Sequence, residues 1–412
     1  MIEYRKKILG NGLRVAVNRD RTSKLAAVNI LYRVGARNED PARTGFAHLF
    51  EHLMFRGTRQ VPVFDLPVQM ASGDNNAFTN NDYTDFYITL PRDNVETALW
   101  LESDRMEGLD ITPQKLETEK KVVIEEFRQR YLNQPYGDQS MLLRELAYRV
   151  HPYRWATIGL TPDHIAAATL DDVRIFYRDH YHPSNAILSI SADLDEERMI
   201  ELAEKWFGAL PDRPCAAPAP PAEPPQTQAR RLEVVRDVPA TTLTVAYHMG
   251  GRTAPDFYTA DLVSDLLSGG DSSRLYRRLV RERRLLSSVN AYVTGDADPG
   301  LFVFTGQLLP DTTPEAAEAA FLAEIEALQA HPATDYELEK VKNKFEANTL
   351  FGELNVMNKA MNLGFYEMLG DLSLINREVA LYRAVGVEEI RDFCRRTFRP
   401  ENSSTLIYRA GK

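Results

Sequence analysis

The sequence predicts an α+β fold built twice, as two homologous domains that are each an antiparallel sheet covered by helices. Three observations carry that expectation. The first is an internal repeat that keeps its order. "LDDVRIFYRDHYHPSN" at 170–185 returns 217 positions later as "VEEIRDFCRRTFRPEN" at 387–402, and β-rich runs follow both, "AILSISA" and "SSTLIYRA". "LETEKKV" at 116–122 returns as "LEKVKNK" at 338–344, 222 positions on. The second is "PDRPCAAPAPPAEPPQTQARR" at 211–231, rich in Pro and Ala and poor in core-forming residues, which reads as a semi-rigid extended linker. The third is the mixture of alternating apolar runs with long helical patterns in each half. A chain of 412 residues exceeds what one core usually organises, so the expected division is 1–210, linker 211–231 and 232–412.

Taken in order, the chain opens on a strand-turn-strand pattern around Gly10, Asn11 and Gly12. A strand ending in Gly and Arg, "VNILYRVGAR", then leads into a helical stretch, and "LTVAYHMGGR" does the same in the second half. "SGDNNAFTNND" reads by composition as a polar turn before the strand "DFYITLP". "LETEKKVVIEEFRQR" has the pattern of a helix, as does "PEAAEAAFLAEIEALQA" in the second copy.

Composition excludes several classes. Apolar residues make up 44% and charged residues 26%, which is ordinary for a globular chain. A formal charge of −10 and a pI of about 5.5 argue against a phosphate backbone, and so nucleic acid, as the partner. No apolar run reaches the roughly 18 to 20 residues of a membrane-spanning helix, so no membrane insertion is expected. Cys215 and Cys394 are the only cysteines and are not in CxxC spacing, which leaves thiolate ligation unsupported and gives neither thiol a role. The first residues carry no charged-then-apolar leader, so either the protein stays in the cytosol or a leader has been removed.

The chemistry concentrates in "GFAHLFEHLMFRGT" at 45–58. His48 and His52 stand four apart, so on a helix they share one face, with Glu51 close to it. Neutral imidazoles suit zinc, and a carboxylate beside a metal can take a proton from water. The HxxEH order reverses that of the HExxH zinc helix and satisfies the same geometry. A catalytic zinc needs a third protein ligand, and Glu119 and Glu126, seven apart on one face of the next helix, are the best donors, while Glu125 points elsewhere. At the 222 offset, Glu119 becomes Val341 and Glu126 becomes Asn348, and "YTADLVSDLLSGG" in the second half holds no histidine. The five-residue pattern is weak alone. Its neighbours Phe46, Leu49, Phe50, Leu53, Met54 and Phe55 add weight, because histidines buried among them without partners would be costly.

With "HLFEHLMFRGT", "EKKVVIEEF" and "NNAFTNNDYTDFY" together, nearly the whole chain resembles the pitrilysin-type M16 metallopeptidases, also called inverzincins. The similarity is to the subfamily of mitochondrial processing peptidase and its two-subunit bacterial relatives. The resemblance implies a zinc endopeptidase for unfolded or short peptides, with one Zn2+ per chain held by His48, His52 and Glu126. It implies Glu51 as the general base that activates water, and Glu119 as a supporting carboxylate. Asn76, Ala77, Phe78 and Thr79 would form an edge strand receiving the peptide as an added strand. It further implies two domains arranged as half of a clamshell.

One part of the family pattern is missing. Members that work alone carry an Arg and a Tyr seven apart, and here Val280 and Ser287 occupy those places. Arg281, Arg283 and Tyr292 are near, but a one-residue shift pairs Arg281 with Ser288, not Tyr. The resemblance therefore implies a heterodimer in which this chain bears zinc and a related subunit supplies the Arg/Tyr pair. Its bacterial two-chain members are often exported, which favours a periplasmic location over the cytoplasm. The alternative class is a non-catalytic peptide-binding or structural subunit, though such relatives lose HxxEH. Cleavage preference is not readable from the chain.

Overall fold

The computed structural model of the chain describes residues 1–213, 219–331 and 333–411. Cys215 and part of the expected linker lie outside the described residues. The strands of the first half are β1 (Arg5–Ile8), β2 (Arg14–Arg19), β3 (Leu25–Tyr32), β4 (Asp74–Thr79), β5 (Thr84–Pro91) and β6 (Ala186–Ala192). Its helices are α1 (Phe46–Leu53), α2 (Asp65–Met70), α3 (Val95–Glu107), α4 (Pro113–Phe127), α5 (Gln139–Ala147), α6 (Pro162–Ala166), α7 (Leu170–His180) and α8 (Glu196–Phe207). The second half has β7 (Arg230–Arg236), β8 (Thr242–His248), β9 (Leu286–Val293), β10 (Leu301–Leu308) and β11 (Ser403–Ala410). With them come α9 (Phe257–Ser268), α10 (Pro314–Ala330), α11 (Asp335–Gly352), α12 (Val356–Met368), α13 (Leu374–Ala384) and α14 (Val387–Thr397).

The chain forms two compact units, 1–128 with 155–220 and 350–377, and 129–154 with 221–349 and 378–412. Each unit thus takes one segment from the other half of the sequence. The first sheet runs β1-β2-β6-β3-β5-β4 and the second β7-β11-β8-β10-β9. Apart from β1 the two orders correspond strand for strand, which is the repeat written in topology. Both sheets are antiparallel except for one pair each, β2 with β6 and β7 with β11. Parallel neighbours need a long crossover, and β6 and β11 each arrive through a helix, α7 and α14.

The central strands of each sheet are buried on both faces. In the second, Leu243, Val245, Tyr247, Phe302, Phe304 and Ile407 pack into one core with α9, α10 and α14. Their alternates Ala246, Leu301, Val303 and Leu406 pack instead on Leu143 and Ala147 of α5. In the first, α12 lays Val356 and Ala360 on Ala27 of β3. A Cβ at Gly364 would stand 2.9 Å from Asn29 Oδ1, so the close approach of α12 requires glycine there. The expected linker does not run free where it is described. Glu223 accepts the backbone N–H groups of Arg149, Val150 and His151 at 2.8 to 2.9 Å, and β7 begins at Arg230. Among the described residues no helix is long and apolar enough to cross a membrane.

Candidate metal centre

Helix α1 is short and must be fixed at both ends to aim side chains. Phe46, Ala47, Leu49, Phe50 and Leu53 are buried, with the Phe50 ring stacked on Phe176 at 5.1 Å and on Tyr181 at 5.2 Å. A large apolar side chain buried this way stabilises the fold by about 1.5 to 3 kcal/mol. At the N-terminus Gly45 has φ 88°, and a Cβ there would meet Ile158 O at 2.5 Å. The orphan N–H groups of Gly45 and Ala47 both donate to the buried Glu39 carboxylate at 2.9 Å, and Trp155 Nε1 donates to it at 3.0 Å. Burial raises the Glu39 carboxyl to about 8 while these donors pull it down. The N–H groups of Gly45, Ala47 and Trp155 favour the ionised form and oppose that burial.

Helix α4 begins where Thr112 Oγ1 accepts from Lys115 N at 3.2 Å, with Pro113 at the first helical position. Its buried stripe is Leu116, Glu119, Lys120, Val123 and Phe127, so Glu119 is a carboxylate in the packed face. Glu125 is exposed and turned away, as the spacing predicts. The packing of α4 on α1 brings the two sets of candidate residues together.

His48, His52 and Glu126 offer ligand atoms that all lie within 4.8 Å of one another. Nε2 of His52 lies 3.4 Å from Glu126 Oε2, and Nε2 of His48 lies 3.8 Å from the same oxygen. Tetrahedral ligands about 2.1 Å from zinc stand about 3.4 Å apart, so this nitrogen and oxygen set fits that ion with little movement. The other nitrogen of His52, Nδ1, is 3.4 Å from Glu119 Oε2, and Arg56 Nη2 forms an ion pair with Glu119 Oε1. A carboxylate on the far nitrogen fixes the tautomer that leaves Nε2 available to a metal. Burial lowers the His52 imidazole, but Glu119 and Glu126 outweigh it and raise it to about 9.

Glu51 sits on α1 between the histidines, and its Oε2 accepts from Thr79 Oγ1 at 2.6 Å. Thr79 ends β4, the strand that also carries Asn76, Ala77 and Phe78. The polar segment read by composition as a turn is therefore a strand, one of the two at the edges of its sheet, paired among the described residues with β5 alone. Asn76 Oδ1 accepts the Ala77 N–H at 2.9 Å, and the Phe78 ring meets Tyr83 edge-on at 5.7 Å. In the second unit Val280 packs on the apolar core. Ser287 is exposed on β9, with its Oγ on Gln307 Oε1 at 3.1 Å. Arg281 lies near Asp271 at 3.9 Å, and Ser288 and Tyr292 lie on β9. Neither Val280 nor Ser287 offers a cation or a phenol.

Sequence reasoning missed Glu39, Arg56 and the Thr79 contact. Arg56 had a signal, since it follows His52 by four and continues the spacing of His48 and His52. Glu39 had none, because an acid in a loop before a helix looks like any surface charge.

A duplicated α+β chain that carries, among the described residues, such a donor set in one copy only has the build of a metallopeptidase. Residues 14–159 match the family model for insulinase (peptidase family M16), and 167–345 match that for the peptidase M16 inactive domain. The zinc protease PqqE of Helicobacter pylori is 33% identical over 340 residues, covering 81% of this chain and 76% of that protein. A probable mitochondrial-processing peptidase subunit beta of Arabidopsis thaliana is 24% identical, over 84% of this chain and 67% of its own. A crystal structure of a protease from Helicobacter pylori matches with a TM-score of 0.94 at 29% identity, over 99% of this chain and 100% of that one. The chain belongs to peptidase family M16.

Proposed function

We propose that this chain is the zinc-bearing catalytic subunit of a two-chain endopeptidase that cleaves unfolded or short peptides. The observation that carries the reading is the hydrogen bond from Thr79 to Glu51, which joins the edge strand β4 to a carboxylate beside the His48, His52 and Glu126 cluster. A peptide added along β4 would be held by backbone hydrogen bonds, which tolerate varied sequences, and Asn76 to Thr79 are the residues it would meet. Bound at the cluster, zinc would supply Lewis-acid polarisation of a carbonyl and a water of lowered pKa. Glu51 takes the proton of the attacking water and returns it to the leaving amine, with Thr79 holding the carboxylate in place. Glu119 orients His52 through Nδ1, and Arg56 balances the buried charge of Glu119.

The need for a second chain is supported by Val280 and Ser287, which cannot bind a substrate carbonyl as an Arg and a Tyr would. The Arabidopsis relative is likewise named as a subunit. The reading is tested with Glu51→Gln. The variant should keep one zinc per chain and lose peptide cleavage when mixed with a metal-free related subunit that carries the Arg/Tyr pair. Undiminished cleavage by Glu51→Gln removes Glu51 as the base. Full zinc-dependent turnover by the isolated wild-type chain removes the partner from the proposal.

A further inference from the structure

A cavity of about 330 Å³ in the first unit lies outside the residues discussed so far. Four arginines face it: Arg59 from the turn after α1, Arg174 and Arg178 from α7, and Arg213 beyond α8. Arg174 and Arg178 are four apart on one helix, so they share a face. The wall holds a single carboxylate, Asp110, and that group already accepts from Lys115 Nζ at 3.0 Å. So much positive charge in one concavity is unexpected in a chain of net charge −10.

Carboxylates beside the cavity pair with Arg174 and Arg178. Asp171 lies 3.5 Å from Arg174 Nη1, and Asp179 accepts from Arg178 Nε at 2.7 Å. Arg213 Nη2 donates to Glu107 O at 3.1 Å. Among the described residues the Arg59 side chain has no hydrogen-bond or ion-pair partner. A guanidinium offers five N–H donors, so Arg59 and Arg174 keep most of theirs for a ligand. The rest of the wall is Leu109, Ile111 and Tyr177. The Tyr177 hydroxyl is tied to the carbonyls of Arg105 and Met106 at 2.7 and 2.8 Å, and the Arg213 guanidinium lies 5.8 Å from its ring centre.

We propose that this cavity binds a phosphate monoester whose organic body rests on Leu109, Ile111 and Tyr177. A carboxylate has two oxygens and one charge and fills one guanidinium fork. A phosphate monoester has three terminal oxygens and nearly two charges, and it can serve several forks at once. The volume lies at the lower end of small-ligand sites and leaves room for a ring beside the phosphate. The site belongs to the fold and does not depend on the peptidase reading.

The test is calorimetric titration of the full chain at low salt with phenyl phosphate, inorganic phosphate and benzoate. Arg59→Ala with Arg174→Ala is the variant, since both side chains are exposed and the fold does not rest on them. Phenyl phosphate should bind about 10-fold or more tightly than benzoate and than inorganic phosphate, and the double variant should lose about 10-fold or more of that affinity. Zinc content should be unchanged in the variant, which separates loss of this site from damage to the metal centre. No heat from phenyl phosphate by about 1 mM, or equal affinity in the variant, overturns the site. Benzoate matching phenyl phosphate overturns its phosphate selectivity, and inorganic phosphate matching it overturns the role of the apolar wall.

Discussion

Replacing Glu119 with Gln changes one oxygen for an NH2 group at a position that is 1% exposed, so the consequence follows from two neighbours. If the amide oxygen stays on Arg56, the NH2 group faces His52 Nδ1. Nδ1 must then become the acceptor and Nε2 takes the proton, which removes the lone pair facing Glu126. If the amide turns over, Arg56 faces an NH2 group, and because it is 46% exposed it can swing into water. The first arrangement abolishes His52 as a donor, and the second keeps a neutral hydrogen bond where a charged one stood. A charge-assisted hydrogen bond contributes about 1.5 to 3 kcal/mol, so zinc affinity should fall about 10- to 100-fold. Competition with a fluorescent chelator measures this, with circular dichroism checking that helix content is kept. Zinc affinity within about 2-fold of wild type would refute the role given to Glu119.

Other outcomes follow from the same geometry. Glu39→Ala leaves the N–H groups of Gly45 and Ala47 without their acceptor, while Trp155 Nε1 keeps the Ala36 carbonyl at 3.0 Å, and should lower unfolding free energy by about 3 kcal/mol, read from urea denaturation, where a loss under about 1 kcal/mol contradicts it. Gly45→Ala forces a Cβ to 2.5 Å from Ile158 O at positive φ and should cost about 2 kcal/mol or more in the same assay; a neutral result would mean the helix start is not fixed there. Burial lowers His180 to about 4, with Asp179 opposing and His182 assisting, while the unfolded chain takes up that proton near pH 6.5. Stability from this group is therefore full above pH 6.5 and lost as pH falls towards 4, by up to about 3 kcal/mol. His180→Phe, which keeps a ring against Phe176, should remove that slope, and an unchanged pH profile would contradict the assignment.

Much of the fold could be read from the chain because duplication leaves marks that do not depend on side-chain detail. The recurring helix-strand junctions at 170–192 and 387–410 became α7–β6 and α14–β11. The exchange of α5 and α12 between units was not readable. An amphipathic pattern says that a helix buries a face, not which sheet covers it. "NNAFT" looked like a turn because Asn disfavours strands, and its pairing with β5 overrides that preference. In the candidate centre, the four-residue spacing put His48 and His52 on one helix face and the seven-residue spacing left Glu119 and Glu126 both open as the third donor, while the choice of Glu126 came from the family resemblance. Thr79 reaches Glu51 across 28 positions, a contact no local pattern encodes.

The account rests on one ion held by three named side chains. A zinc-edge anomalous difference map from a crystal of the chain tests this most directly. The account predicts a single strong peak within about 2.2 Å of Nε2 of His48, Nε2 of His52 and a carboxylate oxygen of Glu126. A peak on other residues, or none after saturation with zinc, would contradict it.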